Sequence, residues 1–177
     1  MTPERARLLA ELLTEIYEKD GGFIPDPAYR PLQHLCSWGA VELFLTRENG
    51  RELLLRYRND DPWDGWHVIG GYVKPPETIQ AFADRTVQEE KAGMTSAVNF
   101  RQIATAKWLD HPFSFPLSAL VVCLPVGKII ERDDLRWFSV DDLPFGRMIH
   151  PKHDLYLDVY LGFLRNPERY CPVIGEE

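Results

Sequence analysis

Residues 77–92 constrain this chain more than any other segment. Stepping by four, three and four residues from Ile79 reaches Ala83, Thr86 and Glu90, one stripe along an α-helix. Phe82 and Val87 flank that stripe, so it is the inward face, and Glu90 places a carboxylate on it beside a second one, Glu89. A buried carboxylate needs a cation, a hydrogen-bond network or a proton. One solution is an arginine partner (Arg56, Arg58 or Arg85) or a side chain that reaches out to solvent at the helix end. The other is a metal ion, because adjacent carboxylates repel unless positive charge sits between them, and hard oxygen ligands suit Mg2+ or Mn2+. Gly70-Gly71 ends a strand just upstream, where bare backbone lets a ligand approach closely, and this adds weight to the metal alternative.

The flanking pattern supplies the rest of the frame. Thr2-Pro3 starts a helix whose Leu8, Leu9, Leu12, Leu13, Ile16 and Tyr17 recur at helical spacing before Gly21-Gly22. That stripe is expected to pack on the domain's own core, with a second copy of the chain as the alternative partner. Strands are expected at Trp38–Arg47 and Glu52–Arg58, joined by the hairpin signal Asn49-Gly50, and at Trp66–Val73 after a polar loop at 59–65. The helix at Glu77–Ala92 is followed by strand patterns at Val98–Leu109, Leu117–Val126 and Leu135–Val140, and by a last helix at Lys152–Leu164. Strands outnumber helices in mixed order, which is an α+β pattern.

The run Gly71-x5-Glu77-x7-Arg85-x-Val87-x-Glu89-Glu90-x2-Gly93-Met94 resembles the Nudix box, whose pattern is G-x5-E-x7-R-E-U-x-E-E-x-G-U with U apolar. The order of elements from Trp38 to Leu164 is also similar to a Nudix domain. The resemblance implies an α+β fold, an α/β/α sandwich with a mixed central sheet, here with an extra N-terminal helix. The organisation expected is a helix at 1–22, a loop at 23–37, a Nudix-like domain at 38–165 and a tail at 166–177.

For the site, the resemblance implies metal ligation by Glu89, Glu90 and the Gly70 carbonyl. It implies a structural ion pair between Glu77 and Arg85, with Gly71 as a box glycine and Arg85 also able to orient the catalytic carboxylates or contact substrate. Thr86 stands where the family has a glutamate one turn before Glu90, so one carboxylate ligand is absent. The same loss marks the GDP-mannose mannosyl hydrolase branch, which Arg132-Asp133-Asp134-Leu135-Arg136-Trp137 also resembles. That branch carries a glutamine and a catalytic histidine ahead of its paired aspartates. Here Glu131 replaces the glutamine, as a candidate metal ligand and general base. Arg132 replaces the histidine and stays protonated, so it cannot act as a base.

The activity implied is Mg2+- or Mn2+-dependent hydrolysis of a nucleoside diphosphate linked to another group, with Glu89, Glu90 and Glu131 catalytic and Arg56, Arg58 and Arg85 on the phosphates. The alternative is a module of the same fold that binds a nucleotide-like ligand or a protein partner without catalysis. A net charge of −7 argues against non-specific nucleic-acid binding. Cys36, Cys123 and Cys171 make no CxxC pair and no apolar run reaches membrane length, so a cytoplasmic protein is expected. Trp63, Trp66, Trp108 and Phe113 are candidates for stacking on a base or sugar, with core packing the commoner fate. His150 and His153 read as solvated helix-entry residues, or alternatively as a base or phosphate contact; His67 faces either the cleft or the surface.

Overall fold

A computed structural model describes residues 1–19, 27–28, 32, 39–60, 62–74, 76–109, 111, 116–168 and 173–174. The described elements run α1 (Pro3–Lys19), β1 (Gly39–Arg47), a 3-10 turn (Glu48–Gly50), β2 (Glu52–Asp60), β3 (Trp63–Tyr72), α2 (Ile79–Glu89), β4 (Met94–Lys107), β5 (Leu117–Gly127), β6 (Leu135–Ser139), α3 (Pro151–Arg165) and β7 (Val173–Ile174). The strands form one mixed sheet in the order β6-β2-β3-β1-β5-β4-β7, in which β1 runs parallel to β5 and antiparallel to β3.

Alternation along β1 explains the layering. Val41, Leu43 and Leu45 pack with Phe82, Ala83 and Val87 of α2. Phe44 points to the opposite face and joins Tyr156, Leu157, Tyr160 and Phe163 of α3. Helices α2 and α3 thus each cover one face of the sheet, which is the expected α/β/α sandwich. The hairpin turn also follows its sequence: Glu48, Asn49 and Gly50 all take positive φ, and Thr46 faces Leu53 across the β1–β2 pair.

Strand β3 changes partner halfway. Residues 63–68 pair with β2, and Ile69 to Tyr72 pair with β1. Gly70-Gly71 therefore lies just past the handover, at the point where the chain leaves the sheet for α2.

Several expectations are corrected. The polar loop at 59–65 is mostly strand, because β2 continues to Asp60 and β3 begins at Trp63. The box helix starts at Ile79 rather than Glu77: the Thr78 side chain accepts a hydrogen bond from Ala81 N and caps it, leaving Glu77 in the preceding turn. Strand β4 begins at Met94, earlier than expected, and β7 pairs beside it within the expected tail. Helix α1 does not pack its leucines on the core: Leu8, Leu9, Leu12 and Leu13 are all exposed. The Gly21-Gly22 stop, Trp38, Phe113, Cys36 and Cys171 fall outside the described residues, and Cys123 is a buried free thiol. No helix among the described residues is long and apolar enough to cross a membrane.

Candidate active site

The box begins with a close approach of backbone to side chain. A methyl group on Gly70 would lie against the Glu42 carboxylate and 2.5 Å from the Val41 carbonyl, so β1 leaves no room for any other residue there. Gly71 has open space where a side chain would start. Glu42 keeps part of its surface exposed. Even so, the protein packed around its carboxyl pushes its pKa up to about 8, against a hydrogen bond with Ser118.

A clasp joins the loop after β3 to α2. Arg85 donates from Nε to Glu77 Oε1 at 2.6 Å and from Nη2 to Glu77 Oε2 at 2.9 Å and the Tyr72 carbonyl at 3.1 Å. Glu77 Oε2 also accepts from Lys74 N at 2.8 Å. The Arg85 guanidinium, through its hydrogen bonds, holds Glu77 below the usual carboxylate range. This planar, two-oxygen arrangement suits a guanidinium. Only Nη1 turns towards Glu89, at 3.4 Å. Nε and Nη2 of Arg85 are thus engaged by Glu77 and the Tyr72 carbonyl.

Glu89 and Glu90 end the helix in different surroundings. The Glu89 side chain is 59% exposed, whereas that of Glu90 is 16% exposed and pairs with Arg56 Nε at 3.0 Å. Arg56 also pairs with the Asp134 carboxylate and donates to the Asp134 carbonyl at 3.0 Å. Arg132 completes the lattice, with Nε 3.0 Å from Asp134 Oδ1 and Nη1 donating to the Glu90 carbonyl at 2.9 Å. Burial raises the pKa of Glu90, while Arg56 and Arg132 pull it back. Hydrogen bonds from Arg56 and Arg132 lower that of Asp134. Sequence reasoning singled out the run containing Arg132 and Asp134 and ruled Arg132 out as a base, but it did not place either residue beside Glu90 and Arg56.

Other expected site residues have the following partners. Glu131 accepts from Trp137 N at 3.3 Å and acts on Arg47, which stacks over Trp137 and pairs with Glu52. The charges that act most strongly on Glu90 are Arg56, Arg132, Asp134 and Glu89. Arg58 pairs with Asp60. Among the described residues, no three His, Cys, Asp or Glu side chains are grouped so as to hold a metal ion. Thr86 is buried and its hydroxyl has no hydrogen-bond partner.

The histidines also depart from expectation. His150 caps α3, accepting from Lys152 N at 3.1 Å, but His153 is buried rather than solvated. His153 lies 6.2 Å from His67 between ring centroids. His67 Nδ1 is 2.7 Å from the Val68 carbonyl, an acceptor only, so Nδ1 carries the proton. His67 Nε2 and His153 Nδ1 are left buried without partners. Burial drives the pKa of His67 down to about 4 and that of His153 well below its ordinary value. Trp66 and Trp108 are core residues, and Trp63 is only partly buried.

Comparisons with known proteins bear on the family and the fold. The NUDIX domain matches residues 38–159. The chain is 30% identical over 115 residues to the NAD-capped RNA hydrolase NudC of Deinococcus radiodurans, covering 59% of this chain and 38% of that protein. The chain thus matches well under half the length of that relative. Among solved structures, a NUDIX hydrolase from Nitrosomonas europaea superposes with a TM-score of 0.59 at 20% identity, over 77% of each chain. A UDP-X diphosphatase does so with a TM-score of 0.58 at 15% identity, over 97% of this chain and 85% of the other. At such identities the structures speak for the fold.

Proposed function

The chain belongs to the NUDIX domain family, and from that premise we propose that it hydrolyses a nucleoside diphosphate linked to another group, a nucleotide sugar or a related diphosphate, with a divalent metal ion. The observation that carries the reading is the pair Glu89–Glu90 at the open end of α2, held in place by the Glu77–Arg85 clasp and flanked by Arg56. NAD and a UDP-linked group, named in one relative and one structural neighbour, share a diphosphate between a nucleoside and a second moiety. A net charge of −7 favours a small nucleotide over a long phosphate backbone.

The donor set fits Mg2+ or Mn2+ in a particular way. Mg2+ is commonly held by one or two carboxylates plus the substrate's phosphates, retaining several waters. Glu89, Glu90 and the Gly70 carbonyl supply that number of hard oxygen donors; with Thr86 neutral and Glu131 at the β6 edge, they do not supply a closed protein cage. Such an ion, when bound, neutralises the diphosphate and lowers the pKa of an attacking water. The chain's own residues do the rest. Glu89, the more exposed carboxylate, takes the proton from the attacking water. Arg56, anchored on Asp134, stays beside Glu90, where its guanidinium offsets phosphate charge. Asp134 and Arg132 fix Arg56 and the end of α2 together.

One observation favours the non-catalytic reading: the Arg56–Glu90 pair satisfies Glu90 without any metal. A panel of nucleotide sugars, dinucleotides and nucleoside triphosphates with Mg2+ or Mn2+, run beside Glu90→Gln, separates the two. Turnover that falls roughly 100-fold or more in the variant supports a hydrolase, since even outer-shell partners of metal ligands cost 10–100-fold. No turnover, and no metal-dependent rise in melting temperature, would transfer the assignment to a binding module.

A further inference from the structure

Glu90 already holds a cation. Arg56 Nε lies 3.0 Å from Glu90 Oε2, and both side chains are well covered, 26% and 16% exposed. The neighbouring carboxylate is attended too, with Arg85 Nη1 3.4 Å from Glu89 Oε1. In the lattice around Glu90 two carboxylates, Glu90 and Asp134, are matched by two guanidiniums, Arg56 and Arg132, so its charges balance. Thr86, one turn before Glu90, is buried and adds no charge. Glu90 therefore has no spare charge to offer a divalent ion, and the guanidinium beside it repels one.

The nitrogens of the Arg56 guanidinium are held differently. Nη1 pairs with the Asp134 carboxylate and donates to the Asp134 carbonyl at 3.0 Å, so it is anchored twice. Nε makes the single contact with Glu90, and among the described residues Nη2 makes no hydrogen bond or ion pair. The guanidinium can therefore give up Glu90 without leaving Asp134. Its donors lie in one plane and pair with phosphate oxygens as they do with carboxylate oxygens, two at a time. A diphosphate at the end of α2 offers such oxygens to Nε and the open Nη2.

We propose that Arg56 gates the metal site: it competes with the ion for Glu90 until a diphosphate draws its Nε and Nη2 away, so that ion and diphosphate bind tightly only together. The proposal rests on the function proposed above and adds a coupling to it. The diphosphate supplies the negative charge that the balanced lattice lacks, and it takes over the guanidinium that Glu90 releases. Asp134 keeps Arg56 at the site in both positions. Linkage makes the effect reciprocal: the factor that the diphosphate adds to metal affinity is the factor that the metal adds to diphosphate affinity.

The test uses the full chain, Mn2+ as the ion and methylenediphosphonate as a diphosphate whose bridge cannot be hydrolysed. Melting temperature and titration calorimetry report binding without any turnover. The wild type is expected to gain little from Mn2+ alone, and more from the two together than from their separate shifts added. Arg56→Gln should bind Mn2+ alone about tenfold more tightly than the wild type, within the usual range for coupled sites. Arg132→Gln controls for charge: it removes one positive charge from the same lattice but no contact with the Glu90 carboxylate, so its Mn2+ affinity should stay close to that of the wild type. The wild type also gives a reading that needs no variant. The Arg56 Nε–H signal in a nitrogen–proton correlation spectrum should hold its position with Mg2+ alone and move once methylenediphosphonate is added. Equal Mn2+ affinities in the wild type and Arg56→Gln overturn the gate and leave the hydrolase reading in place. So does an equal gain in Arg132→Gln, or an Arg56 signal displaced by Mg2+ alone. Absence of Mn2+ binding in every chain, with and without methylenediphosphonate, removes the metal itself, and with it both the proposed function and the gate.

Discussion

Gly70 and Gly71 are neighbours in the sequence but meet very different surroundings. A Cβ on Gly70 would press on Glu42 and on the Val41 carbonyl, and the backbone atom cannot swing aside. Gly70→Ala should therefore cost about 1–3 kcal/mol, the usual range for overpacking, and lower the melting temperature by several degrees. Gly71→Ala meets no atom within 4 Å and should stay within about 0.5 kcal/mol of wild type. Lost turnover in Gly71→Ala at unchanged stability would mark Gly71 as the point where substrate approaches the backbone. The inward position of Glu90 was legible from the 79-83-86-90 stripe, but the identity of its partner was not. Arg56, Arg58 and Arg85 were equal candidates in the sequence, and only the pairing of β2 with β3 and the chain segment before β6 bring Arg56 and Asp134 to it.

At the scale of elements, the clasp decides how α2 sits on the sheet. Arg85 reaches both oxygens of Glu77 and the Tyr72 carbonyl at once, so one side chain ties together the helix, the turn and the end of β3. Arg85→Lys keeps the charge and loses the fork. It should cost about 1–3 kcal/mol in a denaturant titration, the range for hydrogen bonds to charged groups. Adding Glu77→Ala should cost less than the sum of the two single changes, since both remove the same contacts. The resemblance to the Nudix box implied this pair at the level of the sequence. The helix start was less so: periodicity extends back to Glu77, but the Thr78 cap and the need for Glu77 to turn back to Arg85 set the boundary at Ile79.

For the whole molecule, closure of α3 on the sheet buries His153 next to His67 of β3. Burial holds His153 neutral, with its folded pKa far below the unfolded value of about 6.5. As pH falls below that value, the unfolded chain takes up a proton that the folded chain refuses. The stability contributed by His153 is therefore present above about pH 6.5 and lost on acidification. Glu42 works the other way: its carboxyl is raised to about 8, so it loses stability as pH rises. The contribution of His153 is isolated by difference. Between about pH 6 and pH 5, His153→Phe should show a stability slope smaller than wild type by about 1.4 kcal/mol per pH unit. Equal slopes in urea titrations would mean that His153 is protonated in the folded chain.

By itself the sequence determined the box helix, its carboxylate pair and the Asn49-Gly50 hairpin; the clasp was implied by the resemblance to the Nudix box. Each of these rests on neighbours close along the chain, where helical period, capping and turn chemistry leave a readable pattern. The tertiary structure alone decided the rest: the Glu90–Arg56–Asp134–Arg132 lattice, the contact of Glu131 with the Trp137 backbone, the burial of His153 against His67, and the exposure of the α1 leucines. These depend on which strands become neighbours and where β3 passes from β2 to β1. Contacts between residues distant in sequence have no period, so no local pattern along the chain reveals them.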